Sequence, residues 1–207
     1  MSEPLHNPTD ETLFETYRKG DLGAFRSLVE RHHDDLIRFL MRLMGDAAGA
    51  EDVFQDTFLQ VHQAAHTFDP TRRFRPWLFT IAANKARDYL RRKGRRRTLD
   101  LSAPIESDRG GGEGSAGSFV DLLEVRVPSP DARMDEREQS ELVQRALAGL
   151  QYSLREILLL AYFQRLSYAQ IADELEIPLG TVKSRLHAAV AAFGKQWNQV
   201  QSDHEKP

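Results

Sequence analysis

The stretch Ser167 to Phe193, SYAQIADELEIPLGTVKSRLHAAVAAF, leaves this chain few folds. Ser167 and Gln170 have the spacing of a capping box, and Ile171, Ala172 and Leu175 recur on one face of the helix it opens. Ile177, Pro178 and Gly180 break that helix, and Thr181 is placed to accept backbone N–H bonds at the start of a second. Two short helices around so tight a turn form a helix-turn-helix, whose second helix lays its first turns against base edges in the major groove of DNA. Those turns carry Lys183, Ser184, Arg185 and His187, with Val182, Leu186 and Phe193 to pack behind. An ordinary helical hairpin shares the pattern, so the rest of the chain must decide.

The chain of 207 residues, 41% hydrophobic and 29% charged, is long enough for one large domain or two small ones. No apolar run approaches the ~20 residues of a membrane span, and Met1 to Pro8 has no signal-peptide core, so a cytoplasmic protein without membrane insertion is expected. Absence of cysteine excludes disulfides and thiolate metal sites. The net charge of −3 says nothing about nucleic acid, but its distribution does. Arg72 to Arg97 holds eleven basic residues and one acid, Asp88, a density suited to phosphate. Acid is concentrated in residues 101–140, with nine Asp and Glu against four Lys and Arg.

From Thr9 to Arg97 the pattern is helical nearly throughout. Leu13, Phe14 and Tyr17 mark a helix ended by Gly20. Asp21 caps a second, whose stripe runs Phe25, Leu28, Val29, Leu36, Ile37, Leu40, Leu43 and Met44 to Gly45. A third, from about Ala50 to Ala65, buries Val53, Phe54, Phe58 and Val61 and shows an acidic face of Glu51, Asp52 and Asp56. After a loop from Phe68 to Arg75, a fourth begins near Pro76 and runs to about Lys93, with Trp77, Leu78, Ile81, Ala82 and Leu90 inward. Residues 98–130, with Arg109-Gly110-Gly111-Gly112-Glu113-Gly114, read as a flexible acidic linker. Leu122, Leu123 and Val125 within it suggest a short docking element. Ser129-Pro130 opens a helix through Met134, Leu142, Val143, Ala146, Leu147 and Leu150, and Ser153 with Glu156 has capping-box spacing before Ile157. The expected fold is all-α: a disordered tail over 1–9, a helical domain over 10–97, the linker, a second helical domain over 131–197 ending in the helix-turn-helix, and a tail over 198–207.

Several motifs stand in a telling order: Ala50-Glu51-Asp52-Val53-Phe54-Gln55-Asp56-Thr57-Phe58, Phe74-Arg75-Pro76-Trp77-Leu78, Ile81-Ala82-Ala83-Asn84, and Leu166-Ser167-Tyr168 through Gly180-Thr181-Val182-Lys183-Ser184-Arg185. In this order the chain resembles the extracytoplasmic-function sigma factors of bacteria, within the sigma-70 family. The resemblance implies a promoter-specificity subunit, no enzyme on its own, needing no cofactor or metal. Its partners would be core RNA polymerase, through the clamp helices of the largest subunit and the flap of the second-largest, promoter DNA, and an anti-sigma factor.

The acidic helix would dock on the clamp helices through Asp52, Gln55 and Asp56. The loop Phe68 to Phe74 would supply the pocket for a flipped base of the start-proximal promoter element, aided by Arg72 and Arg73. Asn84 would touch a base edge, while Lys85, Arg87, Arg91 and Arg92 hold phosphates. Trp77 is read as core. Thr80 and Ile81 occupy the places of the strand-separating tryptophans of housekeeping sigma factors, implying stricter promoter demands. Thr181, Lys183, Ser184, Arg185 and His187 would contact the distal element as duplex, Thr181 by offering N–H groups to a phosphate.

Three departures from the family pattern stand out. Ala188, Ala189, Val190, Ala191 and Ala192 replace further arginines of the recognition helix; Glu176 stands where glycine is common, at a cost if φ is positive there; and Tyr152-Ser153-Leu154-Arg155 replaces a Pro-Glu entry to the helix containing Ile157. Two rival readings are a stand-alone helix-turn-helix regulator, which would carry a strand-containing sensor domain that residues 1–97 do not suggest, and a helical metal-carboxylate enzyme built on Glu30 and His33 with Asp34, Asp35, Glu51, Asp52 and Asp56 nearby.

Overall fold

The computed structural model describes residues 8–95, 136–164 and 167–204, grouped in two compact units, Met1–Tyr89 and Leu90–Pro207. The linker over 98–130, the docking element at Leu122 to Val125, the Ser129-Pro130 cap, Met134 and the tail over 1–7 lie outside the described residues. Among those described, every regular element is a helix.

The first unit opens with α1 (Asp10–Arg18), capped by Thr9, with Leu13, Phe14 and Tyr17 buried. Helix α2 (Leu22–Met44) starts where Asp21 accepts from the N–H groups of Gly23 and Ala24. It stops at Gly45, whose φ of 66° is a left-handed conformation that glycine adopts without a Cβ penalty. Leu28, Leu36, Phe39, Leu40 and Leu43 are fully buried along its inner face, whereas Phe25, Val29 and Ile37 flank that stripe half-buried. Helix α3 (Ala47–Gln63) is capped by Asp46 and begins a turn earlier than Ala50. A Cβ at its Gly49 would lie 2.8 Å from the Tyr89 ring and hydroxyl, so the absent side chain lets the end of α4 approach.

A short 3₁₀ turn (Ala65–Thr67) and a loop lead to α4 (Phe74–Arg95), with Pro76 in its first turn. Phe79, absent from the expected inward set, is fully buried and meets Phe39 at 5.2 Å between ring centroids. Around the loop, Phe14 meets Phe68 at 5.1 Å and Phe74 at 4.9 Å, and Phe68 meets Trp77 at 4.8 Å. Burying each of these phenylalanines stabilises the unit by about 1.5–3 kcal/mol, so the cluster is a main tie between α1 and α4.

The second unit comprises α5 (Glu136–Ala148), α6 (Tyr152–Gln164), α7 (Tyr168–Leu175) and α8 (Leu179–His204). The long α8 packs against each of the other three and buries Val182, Leu186 and Ala189, while Leu142, Ile157 and Ile171 are buried on α5, α6 and α7. The capping box at Ser153 is not formed, because α6 begins at Tyr152 with the Gln151 carbonyl accepting from the N–H groups of Leu154 and Arg155. Ser153 is thus already inside the first turn. Arg155 explains the unusual entry: its Nη2 donates to the carbonyls of Ala148 (2.9 Å) and Leu150 (3.0 Å), satisfying acceptors at the end of α5. The supposed tail after Trp197 is helical through His204, whose Nε2 lies 2.8 Å from Glu138 Oε1 on α5. Phe193 stacks on Trp197 along the same helix, at 6.1 Å and 20°.

Candidate functional site

The side chains singled out by the sequence fall on three surfaces. The first is the outer face of α3. Val53, Phe54, Thr57, Phe58 and Val61 are buried, with the Thr57 hydroxyl satisfied by the Val53 carbonyl at 2.6 Å, while Glu51, Asp52, Gln55 and Asp56 are exposed. Leu59, one turn further along this face, is 54% exposed. Its signal in the sequence was an apolar residue off the inward stripe.

The second surface is the loop before α4 and the outer side of α4. Phe68 and Phe74 were expected to line a base pocket, but Phe74 is fully buried and Phe68 nearly so. Both rings are claimed by the aromatic core with Phe14 and Trp77, since apolar area removed from water outweighs any benefit of waiting for a ligand. Between them the loop is polar. The Asp69 carboxylate accepts from the Thr71 N–H (2.9 Å) and hydroxyl (2.7 Å), bonds that hold it below the usual carboxylate range, and the Arg72 N–H donates to the Asp69 carbonyl at 3.0 Å. Arg72 and Arg73 are exposed. Glu11 of α1 accepts from the Phe74 N–H at 3.0 Å. Arg75 pairs with Asp35 of α2 at 2.8 Å and lies 4.8 Å over the Phe79 ring. Burial alone would raise the Asp35 carboxyl, but hydrogen bonds from Arg38 and Arg75 outweigh it and keep the pKa low.

Along α4, Asn84, Arg87 and Arg91 recur on one exposed face, with Arg92 beside them. The Asn84 Oδ1 accepts from Arg87 Nη1 at 3.0 Å. Lys85 is half-buried and tied to Gln60 of α3 at 3.0 Å. Trp77 lies in the aromatic core, half-buried; Thr80 and Ile81 are also half-buried.

The third surface is the helix-turn-helix. The Ser167–Gln170 capping box forms in full. Thr181 does not cap α8, because the helix starts at Leu179 and the Pro178 carbonyl accepts from the N–H groups of Thr181 (2.8 Å) and Val182 (3.1 Å). The Thr181 N–H is thereby committed within the chain and is not offered to a phosphate. Lys183, Ser184 and His187 are exposed and Arg185 is half-buried, while Ala188 and Ala191 continue the outer face without charge. Glu176 closes α7 at φ 53°, ψ 40°, with the Ile177 N–H on the Ala172 carbonyl and the Glu176 N–H near that of Asp173, the bonding of a Schellman turn.

The metal-carboxylate reading fails on placement. Glu30 and His33 are exposed, bonded to Arg26 and Asp34 at 2.8 Å each, and no group of metal ligands assembles among the described residues. No helix among the described residues is long and apolar enough to cross a membrane.

An acidic helix face, a basic fourth helix and a separate helix-turn-helix unit define a class of transcription factor. The family model of Sigma-70 region 2 matches residues 28–96, most of them in the first unit, and that of Sigma-70 region 4 matches residues 140–193, within the second. The ECF RNA polymerase sigma factor SigW of Bacillus subtilis is 31% identical over 179 residues, covering 86% of this chain and 91% of that protein. The ECF RNA polymerase sigma-E factor of Escherichia coli K12 is 32% identical over 201 residues, covering 97% of each. A solved structure of the sigma factor RpoE with the anti-sigma factor NepR, from Bartonella quintana, shares the fold at a TM-score of 0.60 and 23% identity, over 84% of this chain and 96% of that one. The chain belongs to the extracytoplasmic-function sigma factors of the sigma-70 family. It is an alternative sigma factor, acting with core RNA polymerase in promoter-directed transcription initiation; the stand-alone regulator is not favoured.

Proposed function

We propose that the three surfaces divide the work of initiation. Asp52, Gln55 and Asp56 dock on the clamp helices of the polymerase largest subunit, where exposed carboxylates pair with cations of the partner. Arg72 and Arg73 of the loop, with Asn84, Lys85, Arg87, Arg91 and Arg92 of α4, hold the start-proximal element as it opens. Lys183, Ser184, Arg185 and His187 contact the distal element as duplex, Thr181 contributing its side chain only, and the same unit meets the flap of the second-largest subunit. The observation that carries this division is that most of these polar side chains are exposed, those of α3, α4 and α8 on helices that bury other faces, with Lys85 and Arg185 half-buried and Lys85 bonded to Gln60.

A cleft of about 370 Å³ lies between α1 and the loop, lined by Glu11, Thr12, Phe14, Glu15, Phe68 and Pro70 among others. Phe14 and Phe68 are buried there, so the cleft presents no ring face for stacking, and it is the exposed Arg72 and Arg73 of the loop that suit a DNA backbone. Bond-making chemistry belongs to the polymerase. The protein works in the cytoplasm, and an anti-sigma partner holds it inactive by covering its polymerase-binding faces, as NepR partners RpoE in the solved complex.

The test is run-off transcription with purified bacterial core polymerase on a promoter library, with and without the protein. Factor-dependent transcripts sharing two spaced upstream motifs support the reading. Core binding without transcripts would remove the promoter-reading surfaces, and absence of core binding would remove the α3 surface as well.

A further inference from the structure

The first N–H of α4, that of Phe74, finds its acceptor far away in the sequence. The first N–H groups of a helix have no intrahelical partner, and Asp, Asn, Ser or Thr normally caps them. Here the preceding residues are Arg72 and Arg73, and the nearest residues of capping type, Asp69 and Thr71, are engaged with each other. The missing acceptor comes from 63 positions away: Glu11 Oε1 takes the Phe74 N–H at 3.0 Å. A carboxylate there also meets the positive end of the helix dipole.

Glu11 is delivered by a fastened helix. Its neighbour Asp10 accepts from Arg31 Nη1 at 2.8 Å and pairs with the buried His32 Nε2 at 2.9 Å, and Arg31 also donates to the Pro8 carbonyl at 2.8 Å. The first turn of α1 is thus fixed to α2. One turn along, on the same face, Phe14 packs on Phe68 at the other end of the loop. Glu11 and Phe14 therefore grip the last and first residues of the loop, and the exposed Arg72 and Arg73 are suspended between two points that a single helical turn holds apart.

We propose that Glu11 is a positioning residue for promoter recognition, setting the conformation of the loop and the N-terminus of α4 through the Phe74 N–H without touching DNA. This rests on the reading of the loop as part of the start-proximal surface. The charge-assisted bond is a stronger link than a neutral one, and it acts on backbone, so its loss shifts both arginines together.

The experiment uses holoenzyme assembled on core polymerase and promoter pairs differing at one start-proximal base, the readout being the ratio of run-off product from the two. A ratio cancels differences in active protein, which a purely stabilising role would change. Glu11→Ala is expected to lower the ratio about tenfold, the equivalent of one hydrogen bond to a charged group. Core affinity and the ratio for pairs differing in the distal element should stay at wild-type values. Glu11→Gln, which keeps an acceptor of the same reach, should restore most of the discrimination; Glu11→Asp, charged but one methylene short, should behave like alanine and serves if the alanine variant folds poorly. An unchanged ratio in both Glu11→Ala and Glu11→Asp, while Arg72→Ala with Arg73→Ala alters it, overturns the inference and leaves the loop reading standing. An equal fall at both promoter elements overturns it as well. If wild-type protein shows no start-proximal discrimination and the arginine variants change nothing, the loop reading itself fails and the inference with it.

Discussion

Replacing Glu176 by glycine should stabilise the second unit. The residue holds φ 53° and ψ 40°, where the Cβ of an L-residue crowds the following carbonyl at a cost of about 1–2 kcal/mol. Its side chain is exposed, so little packing is lost on removal. Against the relief stands the extra freedom glycine gives the unfolded chain, about 0.4–1 kcal/mol. The difference favours glycine by roughly 0.5–1 kcal/mol. For a domain of 60–100 residues this raises Tm by about 2–8 °C. Asparagine tolerates the same conformation without the entropic penalty and should match or exceed glycine, whereas valine should fall below wild type by about 1 kcal/mol or more. Calorimetry of the full chain, following the transition of the helix-turn-helix unit, reads all three. An unchanged or lowered Tm for both the glycine and asparagine variants would refute the strain argument, leaving the Ile177–Ala172 and Glu176–Asp173 backbone bonds as sufficient to hold the turn without penalty.

Charge reversal of Asp52 and Asp56 to lysine is expected to weaken core polymerase binding at least tenfold while shifting Tm by no more than a few degrees, since both side chains face solvent; fluorescence titration with labelled core and a thermal melt check the two halves. Acid should loosen the first unit through Asp10. Burial raises its carboxyl, but hydrogen bonds and charge from His32 and Arg31 outweigh that and hold it below 3.8, so its contribution is present above that value and is lost as pH falls through the lower folded one. Asp10→Asn should therefore flatten the stability profile below about pH 4, measured by urea unfolding across pH. Ala188→Arg, on the outer face of α8, should strengthen binding of the distal element and steepen its dependence on log salt by about one unit, read by holoenzyme binding at several ionic strengths.

The ends of helices were legible where their signals are local. Asp21, Gly45 and the Ser167–Gln170 pair each act within four residues, and each stands in the structure where the sequence put it. Ser153 and Thr181 misled for a related reason. A residue of capping type is also tolerated inside a first turn, and the carbonyls of Gln151 and Pro178 begin the two helices instead. The exposure of Glu51, Asp52 and Asp56 followed from a 3.6-residue period, as did that of Lys183, Ser184 and His187.

What the sequence by itself determined is the set of helices, the polar faces they turn to solvent and, through motifs in order, the family. Periodicity and capping are properties of neighbouring residues, so they survive being read one segment at a time. Only the tertiary structure decided that Phe68 and Phe74 belong to a core rather than a pocket, because their burial depends on Phe14, more than fifty positions away. It likewise decided that α4 takes its cap from Glu11 and that the last turn of α8 meets Glu138 on α5. A hydrogen bond or a buried ring is a property of a pair, and the chain reveals such pairs only when folding brings them together.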